Sequence, residues 1–216
     1  MTFTEIYQQF IEGIRDTGFL EFIAVISGIV SVWFSRKENI LVYPTGLINT
    51  TFYIYLSFKM SLFGEASVNL YYTIMSIYGW ILWAKRNEKD EHVVNVTYSN
   101  RREWMIELLF FASFYIVIFI SLSYLKKGFA PAAIPWADAF SSSTAFTGMW
   151  LMARKKVESW YWWIATNIAS IPLYFVKHLV FTSVYYFILL GLAVWGLIEW
   201  QQRAKKHLAS GKETAP

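Results

Sequence analysis

No disulfide and no thiolate metal site can form in this chain, because it contains no cysteine. That absence leaves the compartment open. Charge is scarce as well: 16% of the residues are Asp, Glu, Lys or Arg, against 56% hydrophobic and 20% aromatic. A soluble domain of 216 residues cannot bury so much apolar surface, whereas a bilayer absorbs it. Histidine is rare, and His92, His178 and His207 all lie outside the long apolar runs. There is no H-E-x-x-H, no phosphate-cradling G-x-x-x-x-G-K-[ST] and no nucleophile–base pair, so hydrolytic and ATP-driven chemistry have no footing and no cofactor is expected. A pI near 9.1 would suit nucleic acid, but the basic residues fall between hydrophobic runs and not on one soluble face. The lipid bilayer is the partner they fit, and no nucleic acid is expected.

What is present is a series of seven membrane-length runs, each compared with the roughly 20 residues a helix needs to cross. They are Gly18–Phe34, Ile40–Phe58, Gly64–Ala84, Trp104–Leu125, Ala132–Ala153, Trp160–Val176 and Val180–Trp200. The fifth is the weakest, interrupted by Asp138 and by Ser141-Ser142-Ser143-Thr144. Tryptophan and tyrosine gather at the run ends, as in interfacial belts. Ahead of them, Phe3, Ile6, Tyr7, Phe10, Ile11 and Ile14 recur at helical spacing, with Thr2 and Glu5 placed for a capping box. This first segment lacks the basic start and continuous apolar core of a signal peptide. It reads as an amphipathic helix along the membrane surface, or equally as one packed on the protein's own core. The tail from Gln201 is polar and is expected to fray.

Orientation follows from charge. Alternate loops lie on opposite sides, and fourteen of the Lys and Arg residues fall after runs 1, 3 and 5 and in the tail, against five on the other side. The positive-inside rule then puts the N-terminus outside and the C-terminus in the cytoplasm.

The chain also resembles itself at a shift of 117 to 118 residues. Glu21 aligns with Asp138, Ser27 with Thr144, Trp33 with Trp150, Arg36 with Arg154, Tyr43 with Tyr161 and Asn49 with Asn167. Lys59 with Lys177, Gly79 with Gly196, Trp83 with Trp200 and Arg86 with Arg203 continue the register. Three helices and a connecting fourth return the chain to its starting side, so the two triplets run parallel, a known transporter layout with a site between halves. The expected fold is all-α and integral to the membrane, seven helices in a 3+1+3 arrangement. Its divisions are an amphipathic segment 1–17, a first bundle 18–86, a cytoplasmic loop 87–103, a connecting helix 104–125, a second bundle 126–203 and a cytoplasmic tail 204–216.

The stretch Trp160–Lys177 carries the main functional signal. Asn167 sits near the middle of an apolar helix, and Trp163, four residues earlier, shares its face. An unpaired amide in hydrocarbon costs roughly 2–7 kcal/mol, so it turns toward another helix or a polar cavity. A hydrogen bond across to a neighbouring helix is the plainer explanation for any one transmembrane Asn. Its repeat partner Asn49 occupies the same depth, with Tyr53 one turn on, and Asn69, Tyr72, Thr73 and Ser76 form a polar stripe in run 3. Ordinary packing is the alternative for the two tyrosines. Glu21 and Asp138, near the outer run ends, either cap helices or concentrate cations at the mouth. Pro44 and Pro172 each fall in a middle helix, where an interior proline frees a carbonyl and favours a hinge or a static bend.

The 3+1+3 pattern, the length and the W-x-x-x-N motif Trp163-Ile164-Ala165-Thr166-Asn167 resemble the PnuC family of bacterial vitamin transporters, over runs 1 to 7. That family is similar to the SWEET sugar transporters. The resemblance implies a protein of the bacterial inner membrane that takes up nicotinamide riboside for NAD biosynthesis. It also implies a homotrimer and a cytoplasmic riboside kinase that traps the substrate; thiamin and riboflavin are carried by related members. A flat pyridinium cation suits aromatic faces, and a carboxamide and ribose suit amides that both donate and accept. The expected ligand contacts are Trp163, Asn167, Asn49, Tyr53, Asn69, Tyr72 and Thr73. With no titratable group at mid-depth, facilitated diffusion is the simplest mode. A sugar transporter, a membrane receptor or scaffold, and an intramembrane enzyme are the competing readings.

Overall fold

The computed structural model describes residues 2–16, 18–59, 63–86, 93–128, 131 and 133–213. Loop residues Lys89 and His92, Ala132 and the last residues 214–216 lie outside them. Eight helices account for nearly all of the described chain. They are α1 (Phe3–Asp16), α2 (Phe19–Arg36), α3 (Val42–Lys59), α4 (Phe63–Ala84), α5 (Arg101–Leu125), α6 (Pro135–Ala153), α7 (Ser159–Val176) and α8 (Val180–Glu213). No strand occurs among the described residues. Three helices, Phe19–Arg36, Arg101–Leu125 and Val180–His207, are long and apolar enough to cross a membrane by length and composition. The other long helices are interrupted by hydroxyl and amide side chains.

Local chemistry sets several boundaries. At α1, the Thr2 amide donates to Glu5 at 2.9 Å and the Glu5 amide to the Thr2 hydroxyl at 3.3 Å, closing a capping box. Asn100 does the same for α5, accepting from the amides of Arg102 and Glu103 while its own amide donates to Glu103. This cap starts α5 three residues before the expected Trp104. Three corners each turn on a non-glycine residue in the left-handed region: Glu38 (φ 58°), Lys155 (φ 53°) and His178 (φ 62°). Two expectations are corrected. Residues 201–213 do not fray but continue α8 to Glu213. Pro44 lies in the first turn of α3, where its missing N–H costs no helical bond, so it frees no carbonyl. Pro172 does lie inside α7, which continues through it to Val176.

Six helices close a ring: α2 packs on α3, α3 on α4, α4 on α6, α6 on α7, α7 on α8, and α8 back on α2. Helix α5 leans on α6, and α1 on α8. Helix α1 packs on the protein by one face and exposes another. The Phe10 ring lies 6.2 Å from that of Phe181 of α8, tilted by 41°, while Phe3, Tyr7, Ile11 and Ile14 form an exposed apolar stripe.

The buried apolar core is gathered at one end of the ring, where α2, α4 and α6 finish and α3 and α7 begin. It includes Tyr43, Trp83, Met152, Val157, Trp160 and Trp200. Two contacts there are alike. Tyr43 of α3 meets Trp83 of α4 edge-on at 5.2 Å, over Gly79; Trp160 of α7 meets Trp200 of α8 edge-on at 5.5 Å, over Gly196. Residue for residue these lie 117 apart, so Trp160, and not the aligned Tyr161, stands where Tyr43 stands. The segment 93–100 is tied onto the same end, with the Thr97 amide donating to Lys155 and the Val157 amide to Thr97.

A methyl group added at Gly196 would sit 2.5 Å from the ring of Trp160, which is 1% exposed and cannot retreat. Gly196→Ala is therefore expected to destabilise the protein by about 1–3 kcal/mol. Gly191→Ala, on the same helix with open space around it, should leave the melting temperature unchanged or raised. Melting both variants in detergent checks the pair.

Candidate functional site

Polar groups inside the ring are for the most part paired across helices, as a bilayer demands. Thr166 of α7 donates to Thr144 of α6 at 2.9 Å, and Ser141 and Ser170 share a bond of 2.6 Å between the same helices. The hydroxyls that weaken run 5 as an apolar stretch thus become its attachment to α7. Thr73 of α4 lies 2.9 Å from the Thr50 hydroxyl of α3 and 2.9 Å from the carbonyl of Asn69. Tyr71 donates to the Phe146 carbonyl at 3.0 Å, joining α4 to α6.

The two asparagines differ. Asn49 donates its amide to the carbonyl of Ala24 on α2 at 2.7 Å, which is the plainer role of a transmembrane Asn. Asn167 is 2% exposed, yet no described residue hydrogen-bonds its carboxamide. Its neighbour Thr166 makes the interhelical bond instead. At a shift of 117, Asn49 corresponds to Thr166, both reaching toward the preceding helix, and Asn167 corresponds to Thr50.

Around Trp163 the structure assembles an aromatic surface from three helices. The Tyr72 ring lies 6.3 Å from Trp163 and 6.1 Å from Phe146, meeting the latter edge-on. Gly148 of α6 lets the Trp163 indole approach, since a Cβ there would lie 3.2 Å from its nitrogen. That indole N–H has no acceptor among the described residues. Gly28 of α2 plays a similar part elsewhere, with a Cβ position 2.7 Å from the Tyr185 hydroxyl and 2.8 Å from the Asn49 amide.

Of the residues singled out from sequence, Trp163, Asn167 and Tyr72 share one region, with Tyr72 reaching Trp163 from α4. Thr73 bonds the Thr50 hydroxyl and the backbone carbonyl of Asn69, which is itself buried. Asn49 is bonded to α2, and Tyr53 is half-buried further along α3. No described contact joins Asn49 or Tyr53 to Trp163. Phe146, Gly148 and Tyr185 were not anticipated; only their small or aromatic character in polar-flanked helices could have drawn attention. Glu107 was also passed over. It is fully buried on α5, accepting from the Trp162 indole at 3.3 Å with one oxygen unpartnered.

Charges stay at the ends. Asp138 accepts from the Ile134 amide at 2.7 Å and pairs with Lys177 at 2.6 Å, so it caps α6. Arg36 pairs with Glu199 at 2.7 Å, Lys155 with Glu38 at 2.6 Å and Lys156 with Glu103 at 2.9 Å. Every lysine and arginine of the described residues lies in a helix-end turn, a corner or the polar tail segment of α8, away from mid-depth. No group of His, Asp or Glu among the described residues is arranged to hold a metal.

Comparisons with known proteins place this architecture. The chain is 22% identical to the nicotinamide riboside transporter PnuC of Escherichia coli (strain K12), covering 89% of each. It is 23% identical to the riboflavin/roseoflavin transporter RibM of Streptomyces davaonensis, covering 88% of each. A crystal structure of the vitamin B3 transporter PnuC superposes with a TM-score of 0.69 at 24% identity, covering 94% of this chain and 90% of that one, and so shares its fold. The model of the family described as nicotinamide mononucleotide transporter matches residues 18–202, and the chain belongs to that family of multi-pass membrane transporters.

Proposed function

We propose that this protein takes up nicotinamide riboside by facilitated diffusion across the bacterial inner membrane, through a central site between two parallel three-helix repeats. On this reading α2–α4 and α6–α8 are the repeats, α5 is the connecting seventh crossing, the N-terminus is outside and the C-terminus cytoplasmic. The observation that carries it is Asn167: a residue 2% exposed whose carboxamide makes no hydrogen bond to a described residue, one turn from the half-buried Trp163, whose indole N–H makes none either. A ligand that supplies acceptors and donors relieves both.

Chemistry chooses among the family's substrates. A nucleotide would bring a phosphate dianion to a depth at which the described residues offer no lysine or arginine, and an uncompensated charge there is severely unfavourable. A riboside carries no phosphate. Its pyridinium cation is attracted by aromatic faces such as Trp163 and Tyr72, by about 0.5–2 kcal/mol. Its carboxamide can exchange two hydrogen bonds with Asn167. Riboflavin also presents a flat ring and hydroxyls but lacks the positive charge. Accumulation then requires phosphorylation by a cytoplasmic kinase, because a phosphorylated product no longer fits the carrier. The homotrimer rests on the family resemblance; α5, with Leu108, Leu109, Ile116, Val117 and Ile120 exposed, offers an apolar face to lipid or to a neighbouring copy.

In proteoliposomes, nicotinamide riboside should equilibrate with no proton or sodium gradient imposed, and it should be taken up in preference to riboflavin, thiamin and nicotinamide mononucleotide. Flux that appears only with a gradient would overturn the uniport mechanism, and preferred uptake of the mononucleotide would overturn the substrate.

The two asparagines should separate in one experiment. Asn167→Leu leaves a ligand group unpaired, which costs about 1–3 kcal/mol of binding, or roughly ten- to hundredfold in affinity, with apo-protein melting nearly unchanged. Asn49→Leu breaks the bond to Ala24 and should lower the melting temperature more than the affinity. Trp163→Ala should weaken binding at least as much as Asn167→Leu does. Normal affinity in a destabilised Asn167→Leu protein would remove Asn167 from the site.

A reporter fused after Pro216 should be active only in its cytoplasmic form. Periplasmic activity there would reverse the orientation and undo the parallel arrangement of the repeats.

A further inference from the structure

Some residues 117 apart in sequence do not merely resemble each other; they touch. Ser35 donates its hydroxyl to the sulfur of Met152 at 2.8 Å. Glu38 pairs with Lys155 at 2.6 Å. The rings of Trp83 and Trp200 lie 6.1 Å apart. A residue can touch its own repeat counterpart only beside the axis that relates the repeats. These three pairs therefore place a pseudo-twofold axis through the end of the ring where the core is densest.

The bonds across that axis are reciprocal. The Trp83 indole on α4 donates to the carbonyl of Ala153 on α6 at 3.1 Å. The Trp200 indole on α8 donates to the carbonyls of Ser35 and Arg36 on α2, at 3.1 and 3.2 Å. Arg36 and Ala153 are themselves 117 apart, so each half's tryptophan is held by the other half's helix terminus. Glu38 adds a charged bridge: one oxygen takes Lys155, and the other takes Arg203 at 3.0 Å. The Lys155 ammonium also lies 4.7 Å over the Trp83 ring. Ser35, Arg36, Trp83, Met152, Ala153, Lys155 and Trp200 are all buried.

We propose that this seam is the cytoplasmic gate of the carrier, with Trp83 and Trp200 as its paired latch and Glu38 as its charged bolt, and that it must part for substrate to leave toward the cytoplasm. The proposal rests on the transport reading and on the charge-based orientation. Every bond named runs between the halves and none within one half, so the seam stabilises a state closed at this end. Separating the halves here exposes two indole N–H groups, three carbonyls and an ion-pair network to water, which can solvate all of them. Substrate specificity is untouched, because none of these residues reaches Trp163 or Asn167 by a described contact.

A disulfide tests it directly, since the chain has no cysteine of its own. The full-length double variant Ser35→Cys/Met152→Cys, oxidised in proteoliposomes, should lose nicotinamide riboside uptake at least tenfold, keep substrate binding from the outer side, and recover uptake with dithiothreitol. Uptake by the reduced form is the control for the transport reading itself. A second measurement needs no substrate: the thiol of Ser35→Cys alone is labelled by a membrane-impermeant maleimide applied from the cytoplasmic side. Glu38→Gln, which keeps shape while removing the charge, should speed labelling about tenfold, and Trp83→Ala or Trp200→Ala should do the same. Undiminished uptake by the oxidised double variant, or labelling indifferent to all three substitutions, would make the seam a permanent structural joint and overturn the gate.

Discussion

A polar side chain at membrane depth has to find a partner inside the protein, and the interior of this ring is arranged around that requirement. Thr144 takes Thr166, Ser141 takes Ser170, Thr73 takes Thr50, and Asn49 takes the Ala24 carbonyl. Each bond joins neighbouring helices of the closed ring, so satisfying the polar groups and holding the helices together are one act. The Asn167 carboxamide and the Trp163 indole, by contrast, make no hydrogen bond to a described residue. They lie on the same face of α7 and share it with Tyr72 and Phe146, which is why the proposed site is drawn there and not at the more symmetric Asn49.

The dense end of the molecule solves a different problem. Positive charge is gathered where α2 and α6 end, yet several of those cations are removed from water: Arg36 and Lys155 are each 2% exposed. They are tolerated because each has a carboxylate close by, Glu199 and Glu38 respectively, and because aromatic rings of Trp33, Trp195 and Trp83 lie under the cations. Removing one partner there leaves a buried charge uncompensated, so these residues are coupled much more tightly than surface ion pairs. The glycines at 79 and 196 belong to the same construction, since only their missing Cβ lets Tyr43 and Trp160 lie against the next helix.

Much of this was legible in the sequence for identifiable reasons. Hydrophobic run length is a strong signal in a membrane protein, and α2 to α7 fall within a few residues of the runs, while α8 begins with its run and continues past it to Glu213. Thr2 and Glu5 announced the α1 cap because its three-residue spacing is fixed by backbone geometry. The cap at Asn100 was missed because it lies inside a charged loop that masks it. The repeat register was legible only to within one residue, since adjacent aromatics at 160 and 161 and adjacent polar residues at 166 and 167 score alike. Packing over glycine distinguishes Trp160 from Tyr161, and interhelical bonding distinguishes Thr166 from Asn167. Glu107 was invisible as a buried group because an acid within the first turn of an apolar run reads as interfacial until its neighbours are known.

That one-residue ambiguity bears on how a symmetric frame serves an asymmetric ligand. If both asparagines held equivalent places, the site would present two like amides to a molecule whose ends are unlike, a flat cationic ring and a hydroxylated sugar. The contacts instead assign the first-half Asn49 and the second-half Thr166 to the same interhelical task. Asn167 is thereby released from bonding to the frame, while its positional counterpart Thr50 remains tied to Thr73. On the proposed reading, the repeats keep their symmetry where they must move against each other, at the latch of Trp83 and Trp200. They abandon it where they must tell one end of a substrate from the other. Selectivity among flat vitamins then depends on a few side chains of α4, α6 and α7, so relatives that share the ring can carry different heteroaromatic cargo without altering the seam that opens and closes it.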